Sequence, residues 1–182
     1  AQGHYSSAYD IALMSRELLK HPDIHTFTTI WMDSLRDGKF TLSNTNKLIR
    51  YYDGATGLKT GSTDDALFCV SATAKRDNMH LIAVIMGSET RDTRNAAATT
   101  LLDWGFATFS MYTAEGGKIS EVKLIGGKED MIELEYGSFS KLLGRGKEKK
   151  ITIEKDVPQE ISAPIKKGDK VGRVKYICDG EL

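Results

Sequence analysis

The chain has 182 residues, which allows one sizeable domain or two small ones. Its 25 basic and 25 acidic residues balance, and neither side of residue 110 forms the basic patch expected of a nucleic-acid-binding protein. No apolar run approaches the ~18 residues of a membrane span, and no signal peptide is visible. The two cysteines, Cys69 and Cys178, are expected to be unpaired, and they do not decide the compartment.

Helical signals come first along the chain. Ser7 and Asp10 form a potential capping box that opens a helix with one apolar face. That face comprises Ile11, Met14 and Leu18. His21-Pro22 should end this helix, because the residue before a proline is pushed out of the helical region, and a short second helix is expected from Pro22. Residues 39–53 carry loop and turn signals.

A predicted hairpin and a long helix follow. The apolar runs 66–74 and 79–86 are joined by the polar connection 75–78, which predicts an antiparallel pair. The second run is apolar on both faces, so we expect it in the middle of a sheet covered by helices. A helix is predicted from Arg91 to Trp104, with Gly105 as its stop. Its expected apolar stripe comprises Ala97, Ala98, Leu101, Leu102 and Trp104.

The pattern changes after residue 110, where ten of the 17 glycines lie. Short alternating segments with glycine-rich turns predict a small, β-sandwich-like module. We therefore expect an α+β domain over 1–110 and an all-β domain over 111–182, with 113–117 as the connector.

The motif with the clearest chemistry is Lys59-Thr60-Gly61, followed by Ser62. A strand edge offers backbone donors and acceptors to an extended peptide, and a glycine lets that peptide approach closely. Hydroxyls and an ammonium group can hold a carboxylate through charge-assisted hydrogen bonds. The motif therefore indicates a site for a peptide that ends in a free carboxylate.

Together, several stretches resemble the low-molecular-mass penicillin-binding proteins, which are serine-type D-alanyl-D-alanine carboxypeptidases of the β-lactamase-like fold. The stretches are 3–10, 53–63, 81–87, 101–106 and the turn at 168–172. The resemblance implies an antiparallel sheet covered by helices, followed by a small β domain. It implies that the whole enzyme trims the terminal D-alanine of peptidoglycan stem peptides and is acylated by β-lactams, without a cofactor or metal.

The resemblance also implies roles for single residues. Lys59, Thr60 and Gly61 belong to the substrate site, and the backbone N–H of Ser62 is one oxyanion-hole donor. Arg94 matches an arginine near the carboxylate pocket. Two structural roles for Arg94 stay open beside this one: a surface residue at a helix start, or an ion-pair partner of Asp92.

The nucleophilic serine of the family has no counterpart upstream of Lys59. No Ser-x-x-Lys precedes Lys59, no Ser-x-Asn exists, and Ser138-x-x-Lys141 lies in the predicted β module. We therefore expect the chain to be the carboxy-terminal portion of an exported protein at the extracytoplasmic face of a bacterial membrane. Its membrane association and its nucleophile would come from segments outside the chain, and the missing amino-terminal segment is an expected partner.

Three alternatives remain at this point. A β-lactamase shares Lys-Thr-Gly but usually ends with the last helix of the domain. A non-catalytic peptidoglycan-binding protein and an unrelated two-domain interaction protein are the other two. The spacing of His21 and His25 would also suit a metal on a helix face, but no further ligand completes such a site.

Overall fold

A computed structural model describes residues 3–179, including all their side chains except that of Ser120. Contacts divide the chain between Ala107 and Thr108 into two compact units. This division falls just before the boundary predicted at residue 110. The predicted connector 113–117 instead lies inside the second unit, where it comprises the end of one strand, a two-residue link and the start of the next strand.

The first unit is built on a three-stranded antiparallel sheet in the order β3–β4–β5. Its strands are preceded by α1, a 3₁₀ turn, α2, β1, β2 and α3, and followed by α4. The bounds of these elements are α1 Ala8–Leu18, 3₁₀ Pro22–Ile24, α2 His25–Thr28, β1 Met32–Leu35, β2 Phe40–Ser43, α3 Leu48–Tyr51, β3 Ala55–Thr63, β4 Leu67–Arg76, β5 Met79–Ser88 and α4 Arg91–Thr108.

The hairpin prediction is confirmed, but the predicted position of its second strand is wrong. β4 pairs with both neighbours and holds the middle of the sheet, whereas β5 pairs only with β4 among the described residues. The central strand is accordingly the most buried, with Val70, Ala72, Thr73 and Ala74 each at most 2% exposed. Within the described residues β5 is therefore an edge strand, although it is apolar on both faces.

Helices cover the two faces of this sheet. The predicted capping box of α1 is present, since Ser7 Oγ accepts from the Asp10 N–H and the Asp10 carboxylate accepts from the Ser7 N–H. On the inner side of α1, Ser15 Oγ lies 2.7 Å from Ser71 Oγ of β4, and both residues are buried. α4 covers the opposite face, where its Gly105 lies against Leu81 of β5.

Two expectations for α4 are wrong. The helix passes Gly105 and continues to Thr108. Its buried stripe comprises Arg94, Ala98, Leu102, Gly105 and Phe106, whereas Leu101 is 46% exposed and Trp104 is 59% exposed. Gly105 is an interior contact rather than a stop, because a Cβ there would lie 2.6 Å from Leu81 Cδ1.

As far as residue 179, the second unit consists of short strands in three small sheets, as the glycine-rich alternating pattern predicted. β6 pairs with β9, β10 pairs with β12, and β7 lies between β8 and β11. The bounds are β6 Phe109–Ala114, β7 Gly117–Ile125, β8 Met131–Tyr136, β9 Phe139–Gly144, β10 Ile151–Asp156, β11 Glu160–Ser162 and β12 Arg173–Cys178. The lysine-rich segment Lys147–Lys150 forms one 3₁₀ turn whose three lysines are exposed.

Candidate substrate-binding site

The Lys-Thr-Gly motif lies in the second half of β3, and β3 is at the edge of the sheet. Lys59 is opposite Ser71 and Gly61 is opposite Cys69 in the β3–β4 register. Cross-strand partners share a face, so Lys59 projects on the same side as α1, which contacts Ser71. Among the described residues β3 pairs only with β4, which leaves its outer edge open to an extended ligand.

An open apolar groove of about 480 Å³ runs along this face of the sheet. It is lined by β3 at Leu58–Gly61, by the facing sides of β4 and β5, and by α1. The predicted apolar face of α1 borders this groove, and two of its members are exposed, with Met14 at 57% and Leu18 at 39%. The helix is therefore amphipathic as predicted, but its apolar face is not buried by the described part of the chain.

The side chains of Lys59 and Thr60 leave the strand in opposite directions, as neighbouring strand residues do. The Lys59 side chain is exposed, and its Nζ donates to the carbonyl of Thr60. The Thr60 hydroxyl lies 2.7 Å from the Thr45 hydroxyl. Thr60 and Ser62 are two positions apart on the strand and share the other face.

Gly61 is the point of closest possible approach to the strand. A Cβ built at Gly61 would meet no atom of the protein within 4 Å, so the space above it is open. Ser62 and Thr63 beyond it are exposed. A ligand that lies along β3 can therefore approach the backbone closely at Gly61.

Sequence reasoning missed the loop that supports Thr60. In this loop Asn46 is 3% exposed, and its Nδ2 donates to the carbonyl of Gly57 in β3 at 2.9 Å. The Asn46 N–H in turn donates to Asn44 Oδ1 at 2.9 Å. The signal in the sequence was the pair of asparagines flanking Thr45, since asparagine side chains commonly bond to nearby backbone in turns.

Arg94 is buried behind the motif rather than exposed at the groove. It is 2% exposed, and its guanidinium donates to Asn95 Oδ1 and to the carbonyls of Thr45 and Cys69. Burial lowers the pKa of this guanidinium from its ordinary value, and nearby Arg91 adds to the effect. Both structural alternatives for Arg94 are wrong, because it is not a surface residue and the Asp92 carboxylate is 3.3 Å from Lys47 Nζ instead.

A second polar cluster lies at the other end of β3. The ring centroids of His25 and His80 are 5.7 Å apart, and His80 Nε2 lies 2.8 Å from the Thr56 hydroxyl. His25 Nδ1 is buried without a hydrogen-bond partner in the described part of the chain. Desolvation lowers the pKa of His80 below its ordinary value, and the charges of His25 and Lys75 lower it further.

The candidate metal ligands and the second serine–lysine pair do not join the site, whereas Cys69 lines the groove opposite Gly61. Across residues 3–179 no three His, Cys, Asp or Glu side chains converge as metal ligands. Ser138 and Lys141 lie in the second unit around the start of β9. Cys69 and Cys178 are free thiols. No helix in the described residues has the length and hydropathy needed to cross a membrane.

Two family models together match most of the chain. One, described as D-alanyl-D-alanine carboxypeptidase, matches residues 1–90. The other, described as the C-terminal domain of penicillin-binding protein 5, matches residues 106–182.

One sequence relative and two solved structures illustrate the similarity. The chain is 40% identical over 188 residues to the D-alanyl-D-alanine carboxypeptidase DacF of Bacillus subtilis, which covers 100% of the chain and 48% of DacF. Penicillin-binding protein 5 of Haemophilus influenzae has a TM-score of 0.76 at 27% identity, covering 100% of the chain and 54% of that protein. Penicillin-binding protein D2 of Listeria monocytogenes, in its cefotaxime-bound form, has a TM-score of 0.53 at 30% identity, with 58% and 44% covered.

The chain thus spans about half the length of the curated relatives it matches. The structural likeness confirms the predicted fold class, in which a β-lactamase-like α+β part is followed by a small β domain.

Proposed function

Because the chain belongs to the D-alanyl-D-alanine carboxypeptidase family, we propose that it forms the Lys-Thr-Gly wall of the substrate cleft in such an enzyme. The reaction is removal of the terminal D-alanine from a peptidoglycan stem peptide. A serine hydroxyl attacks the carbonyl of the penultimate residue, D-alanine leaves, and water hydrolyses the acyl-serine ester. The observation that carries the proposal is the open edge of β3 at Lys59–Gly61 beside an apolar groove.

Different residues of the site bind the substrate and stabilise the developing negative charge. Lys59 and Thr60 lie on opposite faces of β3 and flank its open edge. At that edge the exposed Lys59 ammonium and the Thr60 hydroxyl receive the substrate carboxylate, since charge-assisted hydrogen bonds are the strong ones. Gly61 lets the peptide lie against the strand. Ser62 is an exposed residue, and its backbone N–H is one donor to the developing oxyanion. Arg94 supports this site from behind through the backbone of Thr45 and Cys69.

We further propose that the nucleophile belongs to a Ser-x-x-Lys segment outside these 182 residues. Two observations support this: no such motif precedes Lys59, and the chain spans about half of its relatives. We use the term complete enzyme for the protein that contains both that segment and this chain. The exposed apolar face of α1 and the open edge of β5 offer surfaces on which the segment would pack.

We also propose that the complete enzyme is exported and works at the extracytoplasmic face of a bacterial membrane, where peptidoglycan is made. It would be acylated by β-lactams, whose carboxylate resembles that of the substrate. The cefotaxime-bound form of the Listeria relative supports this ligand class. The match of residues 106–182 to a penicillin-binding protein domain supports a carboxypeptidase over a β-lactamase.

The test compares the complete enzyme with the 182-residue chain. Both are incubated with a fluorescent penicillin and with a stem-peptide analogue ending in D-Ala-D-Ala. We expect the complete enzyme to form a covalent adduct and to release D-alanine, and the chain alone to do neither. An inactive complete enzyme would point to a non-catalytic peptidoglycan-binding protein, whereas a labelled band on the chain alone would contradict the assignment of the nucleophile.

A further inference from the structure

Thr45 lies beside the Lys-Thr-Gly motif, although nothing in the sequence assigned it to the site. Its hydroxyl lies 2.7 Å from the hydroxyl of Thr60, although the two residues are 15 positions apart. Thr45 is exposed, so it does not serve to fill the core. It is therefore a polar neighbour of the motif, placed at its rim by the tertiary fold.

The backbone around Thr45 is fixed from two sides. Asn46, the next residue, is buried and ties the loop to β3 through the carbonyl of Gly57. Buried Arg94 donates to the carbonyl of Thr45 itself at 3.2 Å. Because both anchors are buried, the backbone of Thr45 is held at a position from which its hydroxyl reaches that of Thr60.

A hydroxyl has one proton to donate and two lone pairs that accept. If the Thr60 proton were donated to Thr45, it would not be available to a ligand carboxylate. If Thr45 donates instead, the Thr60 proton is free and its oxygen is polarised by the incoming bond. Only the second arrangement lets Thr60 contribute a donor to the substrate.

We propose that Thr45 is a positioning residue, which donates its hydroxyl proton to Thr60 and thereby directs the Thr60 proton toward the substrate carboxylate. This inference rests on the proposed function. It predicts that Thr45 contributes to recognition of the terminal carboxylate and not to the chemistry at the scissile carbonyl.

The experiment uses Thr45→Val, which removes the hydroxyl and keeps the shape, and Thr45→Ser, which keeps the hydroxyl. Both are made in the complete enzyme, and thermal unfolding confirms that they fold. Release of the terminal residue is measured with a stem-peptide analogue ending in D-Ala-D-Ala and with the same analogue as its terminal amide. We expect Thr45→Val to lower kcat/KM about tenfold on the carboxylate substrate, mainly through KM.

Three comparisons separate positioning from a structural role. On the amide substrate Thr45→Val should match the parent, and Thr45→Ser should restore most of the loss on the carboxylate substrate. In a Thr60→Val background the Thr45 substitution should have no further effect, because the partner it acts through is gone. Equal losses on both substrates, or additive losses in that background, would overturn the inference.

The outcomes also separate the inference from the proposed function. A complete enzyme that releases no D-alanine overturns the proposed function and the inference with it. A parent enzyme that is active, with Thr45→Val equally active on the carboxylate substrate, overturns the inference alone.

Discussion

Replacing Gly61 with alanine should change folding and substrate turnover in opposite directions. The backbone at Gly61 is not in the left-handed region, and a Cβ there meets no protein atom within 4 Å. Alanine at such a position restricts the unfolded chain and stabilises a protein by about 0.4–1 kcal/mol. The free energy of unfolding of the 182-residue chain should therefore stay the same or rise slightly.

The same methyl group occupies the space that the ligand needs. It projects from β3 on the side of Lys59, into the groove along which an extended peptide would lie. Steric overlap of this kind costs about 1–3 kcal/mol when the surroundings are well packed. In the complete enzyme kcat/KM should fall on the order of tenfold to a hundredfold.

Two other glycines provide controls. Gly137, in the second unit, also has open space and ordinary backbone, so Gly137→Ala should leave turnover unchanged. Gly54 has φ +76°, and a Cβ there would lie 2.4 Å from the carbonyl oxygen of Lys75, so Gly54→Ala should lower stability. The reasoning is refuted if Gly61→Ala destabilises the chain as Gly54→Ala does, or if it folds and turns over substrate like the parent.

Four further results are expected. Lys59→Ala in the complete enzyme should lower the rate of acylation by a β-lactam tenfold to a hundredfold without changing the melting temperature. The reason is that a hydrogen bond to a charged group contributes about 1.5–3 kcal/mol. An unchanged acylation rate would contradict the role of Lys59. The folded-state pKa of His80 is lowered, so the unfolded state binds more protons and stability should fall as pH drops below about 6.5. In urea titrations the free energy of unfolding of His80→Gln should depend less on pH than that of the parent. The buried Tyr52 hydroxyl donates to Asp103 at 2.7 Å and its pKa is raised to about 12. Stability should therefore fall as pH rises from about 10 to 12, by at most ~2.7 kcal/mol. An equal loss of stability over this pH range in Tyr52→Phe would refute this. Limited proteolysis should release a resistant fragment that begins near residue 108, where the two units divide, since the first unit leaves the apolar face of α1 exposed. Equal resistance of both units would contradict this.

The sequence by itself determined the local features of this protein. The capping box at Ser7 and Asp10, the hairpin of β4 and β5 and the change to short strands in the second unit depend on neighbouring residues. So does the Lys-Thr-Gly strand, whose alternation sets which side chains share a face. Local propensity and periodicity carry this information because the interactions involved span only a few residues.

Tertiary structure alone decided which surfaces are buried and which distant groups meet. The sequence could not choose between Leu101 and Leu102 in α4, because both lie near the apolar stripe and only packing against the sheet buries one of them. It placed Arg94 near the site but could not show that the guanidinium binds the backbone of Thr45 from behind. The Thr45–Thr60 contact has no signal in either segment, since it exists only where the fold brings a loop to the edge of β3.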